Sequence, residues 1–494
     1  MIVDEYCNLQ NVEIYVTSSG QVYSCMLNQA NIVKNNNKFY VMQLLKNTVG
    51  TYYVYSRYGR VGEKGVVSPL KSFSSESLAI KEFQKRFRYK TGNMWTGDPK
   101  KFNPIPGKYI LMDTISPEIE VIEDEPSSKP VNLHREVFEL VTMISSKKLM
   151  ANTMRKLDVD TSRMPLGKIS KSQINQAHSI LKEIKSLIEV DLENISEAGI
   201  DDPVKFVKNE LVKLSSNFWT LIPYSCGRNR PPIIDSEERL KRYIDLLEVM
   251  ENIKIAGKIF KKTNNVSDIY QGLNTSIEVL EKNGDEWELL EKYIKNTHAP
   301  RHNYKLELVN VFKLDKRSHD DLDKHDYFNE LPDHRLLIHG SRMANYVGIL
   351  SEGIRIPKTN QVSNGSVLGL GAYFADSVSK SFNYCQPSET GGIGFIVLCE
   401  VALGDNPHVV TRATFDQRPT AGYTSRIALG GSTPTESQFE KIKDRNVIVP
   451  CGTLQNSGVV SPGFRYNEYV VYDSRQYRFR YLIQLKSEGM VSCW

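Results

Sequence analysis

Residues 369–385 read GLGAYFADSVSKSFNYC, and this stretch decides how the C-terminal part of the chain folds. Its glycines predict a turn leading into Tyr373, and the residues after it predict a helix that presents Lys380, Ser381 and Tyr384. Two tyrosines can hold a flat aromatic ring between them, although a packed, buried tyrosine pair gives the same pattern. Because the third glycine and the lysine of phosphate-binding loops are missing, that kind of site is excluded.

A second cluster, His339-Gly340-Ser341-Arg342, stands where the predicted strand 335–339 ends. Glycine lets a ligand approach the backbone, and histidine can hold a sugar hydroxyl. The alternative is a simple turn in which Ser341 caps the helix that runs through Ile349.

A third cluster, Tyr466–Asp473, reads YNEYVVYD and predicts a strand. Glu468 is acidic among aromatic and apolar neighbours, where ionised carboxylates rarely lack a partner. We expect Glu468 to be paired or functional, and the alternative is a solvated strand end.

Taken in their order along the chain, the three clusters resemble the catalytic domain of the poly(ADP-ribose) polymerases. The family's motifs HGSR, G-x-G-x-Y-F-A-D-x-V-S-K-S-x-N-Y-C, EVALG and NEYVVYD all occur. Residues 164–171, 221–223 and 293–299 are similar to the family's helical regulatory domain and the entry to its catalytic domain. The basic module, residues 1–110, is similar to its WGR domain and includes the stretch KTGNMW at 90–95, so the resemblance covers nearly the whole chain.

Composition agrees with a multidomain globular protein. The 494 residues are 24% charged and 40% hydrophobic, which excludes a wholly disordered chain and a membrane protein. Seven scattered cysteines without a C-x-x-C pair argue against a disulfide scaffold, a structural zinc site and the family's zinc-finger array. We therefore expect the short, zinc-finger-less type, a multidomain α+β protein. Its parts are a small β-rich WGR-like domain, an all-α regulatory bundle and a mixed α/β catalytic domain on antiparallel sheets.

Charge is distributed unevenly along the chain. Residues 1–110 hold 15 Lys/Arg and 7 Asp/Glu, a balance of +8, whereas residues 111–130 hold 1 and 6, a balance of −5. The remainder carries +2 of the total +5. The predicted domains are 1–110 (WGR-like, DNA-binding), 111–130 (acidic linker), 131–262 (helical, autoinhibitory) and 263–494 (ADP-ribosyltransferase).

The hydrophobic periodicity of the sequence predicts the secondary-structure elements. Strands are predicted at 12–16, 38–45, 51–55, 335–339, 395–403, 468–472 and 477–486, the last one paired with the strand before it. Helices are predicted at 75–89, with Leu78 on the apolar face, and along the stripes 137–144, 174–188 and 240–260, the second after a Ser170 or Ser172 cap. Long functional loops are predicted at 356–371 and 422–463.

The resemblance implies a role for each cluster in binding and cleaving NAD+, with no metal. Glu468 would bond the ribose hydroxyl, stabilise positive charge on the sugar and assist the acceptor, with Lys380 beside it. The other implied contacts are the carboxamide with Gly340 and Ser381, the nicotinamide ring with Tyr384 and Tyr373, the adenosine ribose with His339, and the adenine end with Ser341, Asn345, Gly348 and Arg355.

Two departures from the family stand out. The WGR signature reads Tyr58-Gly59-Arg60, with tyrosine in place of tryptophan, and Leu370 replaces a lysine in the glycine turn.

The basic module suits DNA phosphates, through Tyr58, Gly59, Arg60, Lys85, Arg86, Arg88 and Lys90. The alternative is that the basic residues from Lys81 to Lys90 form a solvated helix face.

The expected function is DNA-break-activated transfer of ADP-ribose from NAD+ to proteins, including the chain itself, with elongation to polymer, in the nucleus during DNA repair. The expected partners are DNA breaks or ends, protein acceptors and an accessory histone-modification factor, without a membrane. Two alternatives stay open: transfer of mainly single units, and a catalytically weak break-binding scaffold with NAD+ as an allosteric ligand.

Overall fold

The computed structural model describes residues 2–112, 133–157, 159, 169–197, 200–261, 263, 265–316, 322–359, 361, 366–414, 418–419, 422–442, 445–461 and 463–489. These belong to two compact units. The first takes its residues from 1–120, 154–251 and 360–362, and the second from 121–153, 252–359 and 363–494. Nearly all of the predicted acidic linker, from residue 113 on, and most of the 164–171 motif lie outside the described residues.

The first unit opens with a β-sheet. Its strands are β1 (Val12–Ile14), β2 (Ser24–Asn31), β3 (Asn36–Asn47), β4 (Tyr52–Arg60), β5 (Val66–Val67), β6 (Lys71–Phe73) and β7 (Ile110–Met112). The order is β5-β4-β3-β2-β7, with β1 paired to β3 and β6 to β4. Every pairing is antiparallel, so the β-rich prediction for this region is confirmed.

Helix α1 (Glu76–Thr91) covers this sheet through Ala79, Phe83 and Phe87, which are buried at i, i+4 spacing. The helix itself was predicted correctly. Leu78, which was predicted on the apolar face, is 53% exposed. It precedes the buried stripe by one residue, which rotates it about 100° around the helix axis.

Helices follow in the next segment. They are α2 (Arg135–Ile144), α3 (Lys147–Lys156), α4 (Lys171–Ile188), α5 (Leu192–Glu197), α6 (Pro203–Leu221), α7 (Glu237–Phe260) and α8 (Val266–Gly272). The three predicted stripes coincide with α2, α4 and α7. Ser170 caps α4 in a capping box, in which its Oγ accepts from the backbone N–H of Gln173 and the Gln173 side chain accepts from the Ser170 N–H.

Helix α6 is hydrogen-bonded to the sheet of the first unit. The buried Asn28 side chain of β2 donates to the carbonyls of Trp219 at 3.0 Å and Thr220 at 2.9 Å. In the other direction, the N–H of Ala30 donates to Thr220 Oγ1 at 3.0 Å. Buried polar groups must find partners, so these bonds fix the register of α6 along β2.

The second unit contains the larger sheets. Its strands are β8 (Thr275–Val279), β9 (Lys305–Lys316), β10 (His334–Gly340), β11 (Ala372–Phe374), β12 (Ile393–Ala402), β13 (His408–Val410), β14 (Ser425–Ala428), β15 (Ser432–Pro434), β16 (Glu440–Ile442), β17 (Val447–Val449), β18 (Leu454–Asn456), β19 (Glu468–Val471) and β20 (Tyr477–Glu488). Its further helices are α9 (Asp285–Asn296), α10 (Leu322–Glu330), α11 (Tyr346–Glu352) and α12 (Val378–Phe382).

The strands of this unit form one large sheet and smaller ones. The large sheet has the order β16-β17-β10-β12-β20-β9-β8, and a second sheet has the order β11-β19-β14-β13. Pairing is antiparallel except between β10 and β17 and between β13 and β14. A mixed α/β domain built mainly on antiparallel pairs is therefore confirmed.

Two expectations for this unit were wrong. Strand β20 pairs with β12 and β9 and not with the preceding strand β19, because its long apolar face completes the large sheet. The predicted loop 422–463 contains β14 to β18, which have only three or four residues each. Strands this short give no readable alternation among the Gly, Ser and Pro residues around them.

Glu400 interrupts the apolar strand β12, and the structure supplies its partners. His334 Nδ1 lies 2.7 Å from Glu400 Oε1, Arg480 Nε donates to Oε2 at 2.7 Å, and the other imidazole nitrogen faces the carbonyl of Leu331 at 2.7 Å. Because both nitrogens meet acceptors, the pKa of His334 is raised, chiefly by the bond to Glu400. Burial opposes ionisation of Glu400, but His334 and Arg480 outweigh it and lower its pKa.

Replacing Glu400 with Gln should lower the pKa of His334 and destabilise the second unit by about 1.5–3 kcal/mol, because it leaves two half-buried cations without their anion. A raised folded-state pKa means that the stabilisation by His334 is complete below about pH 6.5 and is lost as the pH rises through that pKa. Histidine NMR titration and denaturant unfolding at several pH values measure both effects. Glu436→Gln, at an exposed position, is the control, and an unchanged His334 titration in Glu400→Gln would contradict this account.

Candidate active site

Gly340 and Ser381 lie against each other where β10 ends and α12 passes. A Cβ built on Gly340 would lie 1.9 Å from the carbonyl oxygen of Ser381, so no larger residue fits there. The Ser381 hydroxyl donates to the carbonyl of Ile338 at 3.0 Å, which holds the two elements together. The backbone of Gly340 and the hydroxyl of Ser381 thereby come together, and both can hydrogen-bond an amide.

The turn after α9 fixes the start of α12. The Thr297 carbonyl accepts from Ser377 Oγ at 2.9 Å, and Thr297 Oγ1 accepts from the N–H of Val378 at 3.1 Å. The N–H of Ala299 donates to Ser379 Oγ at 2.8 Å. These bonds join residues 297–299 to residues 377–379 at the start of α12.

His339 is held as a neutral imidazole with a defined tautomer. Its Nδ1 lies 3.0 Å from the carbonyl oxygen of Tyr373, and since a carbonyl only accepts, Nδ1 carries the proton. Burial lowers the pKa of His339. The other nitrogen, Nε2, is therefore a hydrogen-bond acceptor, which a hydroxyl group can donate to.

Tyr373 is anchored through its hydroxyl. The hydroxyl donates to the Gly369 carbonyl at 2.7 Å and accepts from the N–H of Leu368 at 3.0 Å. Arg426 Nη1 donates to the Leu368 carbonyl at 2.9 Å, and the Tyr472 hydroxyl donates to the same carbonyl. The position of the Tyr373 ring is thus fixed by the segment just before it.

Glu468 lies at the first position of β19, where it is 7% exposed and paired with Lys380. Lys380 Nζ is 2.5 Å from Glu468 Oε1. Burial lowers the pKa of Lys380, but Tyr384 and Glu468 outweigh that effect and leave the pKa raised. Glu468 is therefore not at a solvated strand end, and Tyr384, 43% exposed, is not half of a buried tyrosine pair.

The four residues predicted at the adenine end form two pairs. Buried Ser341 and Asn345 are bonded to each other, Nδ2 to Oγ, at 2.9 Å. Helix α11 begins after Asn345, so Ser341 does not cap it. Gly348 and Arg355 both meet Asn252 of α7.

The contacts of Asn252 are close. Arg355 Nη2 donates to Asn252 Oδ1 at 2.8 Å, and a Cβ on Gly348 would lie 2.3 Å from the same oxygen. A side chain of α7 therefore occupies the position next to both residues.

On the first unit, Tyr58 and Lys90 both lie against the ring of Tyr40. Tyr58 is 43% exposed and stacks on Tyr40, with ring centroids 5.7 Å apart and an interplanar angle of 13°. Lys90 Nζ lies 4.6 Å from the Tyr40 ring centroid and 5.6 Å from that of Tyr109. The cation thus lies against two aromatic faces, and the Tyr58 ring remains accessible at the surface.

The other predicted DNA-binding residues have different surroundings. Lys85 and Arg88 are exposed, whereas Arg86 is bonded to Glu82 at 2.8 Å. Gly59 lies against Gly65, with only 2.6 Å between its built Cβ and the Gly65 Cα.

Arg60 is bonded within the first unit. Its Nη1 donates to the Asn35 carbonyl at 2.9 Å, Nη2 donates to the Asn229 carbonyl at 2.5 Å, and Nε donates to the Gly227 carbonyl. Its donors are thus directed at loops of the same unit.

Comparison with known proteins agrees with this geometry. Family models match for the poly(ADP-ribose) polymerase catalytic domain at residues 284–487, the regulatory domain of the same polymerases at 131–275, and the WGR domain at 23–102. Human poly [ADP-ribose] polymerase 2 is 32% identical over 504 residues, covering 98% of this chain and 83% of the relative. The chain belongs to the poly(ADP-ribose) polymerase family.

Other members of the family are similarly related. Poly [ADP-ribose] polymerase 2 of Arabidopsis thaliana is 34% identical, covering 94% of this chain and 73% of the relative. Poly [ADP-ribose] polymerase 1 of Danio rerio is 33% identical over 508 residues, covering all of this chain and 48% of the relative. The chain thus spans about half the length of the polymerase 1 relatives that it matches.

Sequence reasoning missed three residues at these sites. Asn252 is a buried amide in the apolar stripe of α7, and Asp376 is a buried carboxylate one residue after Ala375. Tyr40 lies beneath Tyr58 on the neighbouring strand β3. A polar residue at an otherwise apolar position was the available signal for the first two.

The described ranges hold neither a cluster of metal-ligating side chains nor a helix suited to cross a membrane. No group of three or more His, Cys, Asp or Glu side chains there is arranged to hold a metal ion. No helix in that part of the chain combines the length and apolarity needed to cross a membrane.

Replacing Gly340 with Ala should destabilise the second unit and abolish binding of nicotinamide-like ligands, because the new methyl group collides with the Ser381 backbone. Isothermal calorimetry with 3-aminobenzamide and thermal unfolding measure the two losses. Gly431→Ala is the control, since a Cβ there has no atom of the described residues within 4 Å. Wild-type affinity in Gly340→Ala would show that the contact is not restrictive.

Proposed function

We propose that this chain is an ADP-ribosyltransferase that cleaves NAD+ at the nicotinamide–ribose bond and transfers ADP-ribose to proteins, including itself. The observation that carries the proposal is the pair of buried Glu468 with half-buried Lys380, beside the Gly340–Ser381 contact. Family membership supports the reaction class, and the arrangement provides groups for each part of this substrate.

The chemistry follows from the charge that develops on the sugar. Cleavage of a glycosidic bond passes through an oxocarbenium-like state, which a fixed carboxylate stabilises. Glu468 would supply that charge, bond the ribose hydroxyl and receive the proton of the attacking acceptor. Lys380 holds the carboxylate in place, because the salt bridge restricts its rotamer.

The remaining residues would orient the substrate. Gly340 and Ser381 would hold the carboxamide, with the nicotinamide ring between Tyr373 and Tyr384. His339 Nε2 would accept a hydrogen bond from the adenosine ribose. Nicotinamide leaves as a neutral molecule, so the leaving group needs no metal.

We further propose that product chains are elongated to poly(ADP-ribose). Transfer of mainly single units is the competing outcome, and it is decided by the mobility of the product. A break-binding scaffold that uses NAD+ only as an allosteric ligand is disfavoured, because the histidine, tyrosine and glutamate positions are all held by specific bonds.

Glu468→Gln preserves shape and removes the charge, so it should lower label transfer from radioactive NAD+ by about 10²-fold or more and abolish polymer. Gel electrophoresis of the wild type on nicked DNA should show a smear. Glu436→Gln, an exposed glutamate of the same unit, should behave as wild type.

Each contrary outcome has a defined meaning. No label transfer by the wild type would support the scaffold, and a single discrete shift would support transfer of single units. Polymer synthesis by Glu468→Gln would refute the role given to this residue.

DNA breaks are the proposed activating partner. The WGR-model region lies within residues 1–110, which carry +8, and phosphate contacts give strong, salt-dependent and sequence-independent affinity. Exposed Tyr58 offers a ring for a base or sugar, and Lys85 and Arg88 are accessible cations. Nuclear location, a role in DNA repair and an accessory histone-modification factor belong to the same proposal.

Regulation is proposed to act through Asn252. This residue lies in the segment matched by the regulatory-domain model and contacts Arg355 and Gly348, two adenine-end residues. In this arrangement α7 would obstruct the adenosine part of NAD+. Binding to a DNA break would shift the population toward a state in which this obstruction is relieved.

Asn252→Ala should raise NAD+ consumption without DNA by about tenfold, a coupling of ordinary size, and change the DNA-stimulated rate little. Nicotinamide release with and without a 5′-phosphorylated nicked duplex measures both rates. Glu238→Ala, at an exposed position of α7, is the control. Equal DNA-free rates in Asn252→Ala and the wild type would refute the obstruction, and a wild type indifferent to DNA would refute activation by breaks.

A further inference from the structure

Asp376 is a carboxylate with 1% exposure at the point where three parts of the candidate active site meet. It follows β11, which carries Tyr373, and it precedes α12, which carries Lys380. The antiparallel pairing of β11 with β19 places Phe374 opposite Tyr469. Asp376 therefore lies near the residue that precedes Glu468.

One oxygen of Asp376 bonds both neighbours of Glu468 in the chain. Asn467 Nδ2 donates to Asp376 Oδ2 at 2.7 Å, and the Tyr469 hydroxyl donates to the same oxygen at 2.9 Å. Successive side chains of a strand point to opposite faces. Asn467 and Tyr469 thus share the face toward Asp376, and Glu468 points to the other face.

The Asn467 amide has no remaining freedom to rotate. Its second Nδ2 hydrogen is directed at Thr433 Oγ1, 2.9 Å away, and its Oδ1 accepts from the N–H of Gly430 at 2.9 Å. With Asp376 as the third partner, one orientation of the amide is defined. The backbone on the N-terminal side of Glu468 is therefore fixed by three separate contacts.

The charge on this oxygen matters because both donors are deeply buried. Burial raises the pKa of Asp376 to about 6, with Asn467, Tyr469 and Arg335 acting in the opposite direction. The two donors favour the ionised form of the group, since both donate to Oδ2. Hydrogen bonds to an ionised acceptor are shorter and about twice as strong as neutral ones, so this carboxylate restrains its partners more tightly than a neutral group would.

We propose that Asp376 is a positioning residue for catalysis: by holding Asn467 and Tyr469 on one face of β19, it sets the direction in which Glu468 projects toward the sugar of NAD+. The proposal rests on the function proposed above. It assigns Asp376 no contact with substrate, since its effect passes through the backbone of Glu468. A carboxylate misplaced by about 1 Å loses on the order of 10²-fold in rate.

The test compares Asp376→Ala, Asp376→Asn and Tyr469→Phe with the wild type in steady-state nicotinamide release at saturating nicked DNA. Asp376→Ala should lower kcat by about 10²-fold while the KM for NAD+ changes by less than about threefold, because Asp376 is assigned no contact with the substrate. Asp376→Asn keeps an acceptor oxygen for both donors but loses the charge, so its kcat should lie between those of Asp376→Ala and the wild type. Tyr469→Phe removes one of the two bonds and should be intermediate. Asp405→Ala, at an exposed position, is the control.

The contrary results separate this proposal from the proposed function. A wild-type kcat in folded Asp376→Ala, or a loss confined to melting temperature, overturns the positioning role and leaves the function intact. If Asp376→Ala does not fold, an unchanged kcat in Tyr469→Phe overturns it instead. If the wild type releases no nicotinamide, the function fails, and crystal structures then decide the positioning role. In that case, an unmoved Lys380–Glu468 pair in Asp376→Ala or Tyr469→Phe overturns the positioning role. A displaced Glu468 supports that role.

Discussion

The close approach of Gly340 to the Ser381 backbone is the constraint on which the second unit's site depends. It requires a residue without a side chain at the end of β10 and brings α12 against that strand. Once α12 is there, the lysine it carries reaches the first residue of β19 and meets Glu468. The packing of one strand against one short helix thus determines where the charged pair lies.

The sequence predicted the local elements and the three residue clusters of the candidate site, because both leave local signals. The clusters around His339, Tyr373 and Glu468 are contiguous motifs, and each has its chemistry in a few adjacent residues. Strand β20 was located correctly but paired wrongly, since its length and apolar alternation say nothing about which strand lies beside it. The short strands β14 to β18 were missed because three or four residues cannot display a period.

The contacts that the sequence could not predict join residues far apart in the chain. Asn252 meets Arg355 across 103 positions, and Asp376 meets Asn467 across 91. Asn252 and Asp376 are each visible as a polar residue at an apolar position, but only the fold supplies the partner. Net charge has the same limit, because a balance of +8 does not separate exposed Lys85 from Lys90, whose cation lies against the rings of Tyr40 and Tyr109.

Arg60 illustrates how a contact of this kind restricts substitution. Its partners in the 227–229 loop are backbone carbonyls, which every residue type possesses. The side chains at 228 and 229 are therefore free to vary during evolution as far as this contact is concerned. The length of the loop is not free to vary, because an insertion or deletion would move the carbonyls out of reach of the Arg60 guanidinium on β4. Relatives that keep an arginine at this position should differ in this loop by replacement and not by gaps.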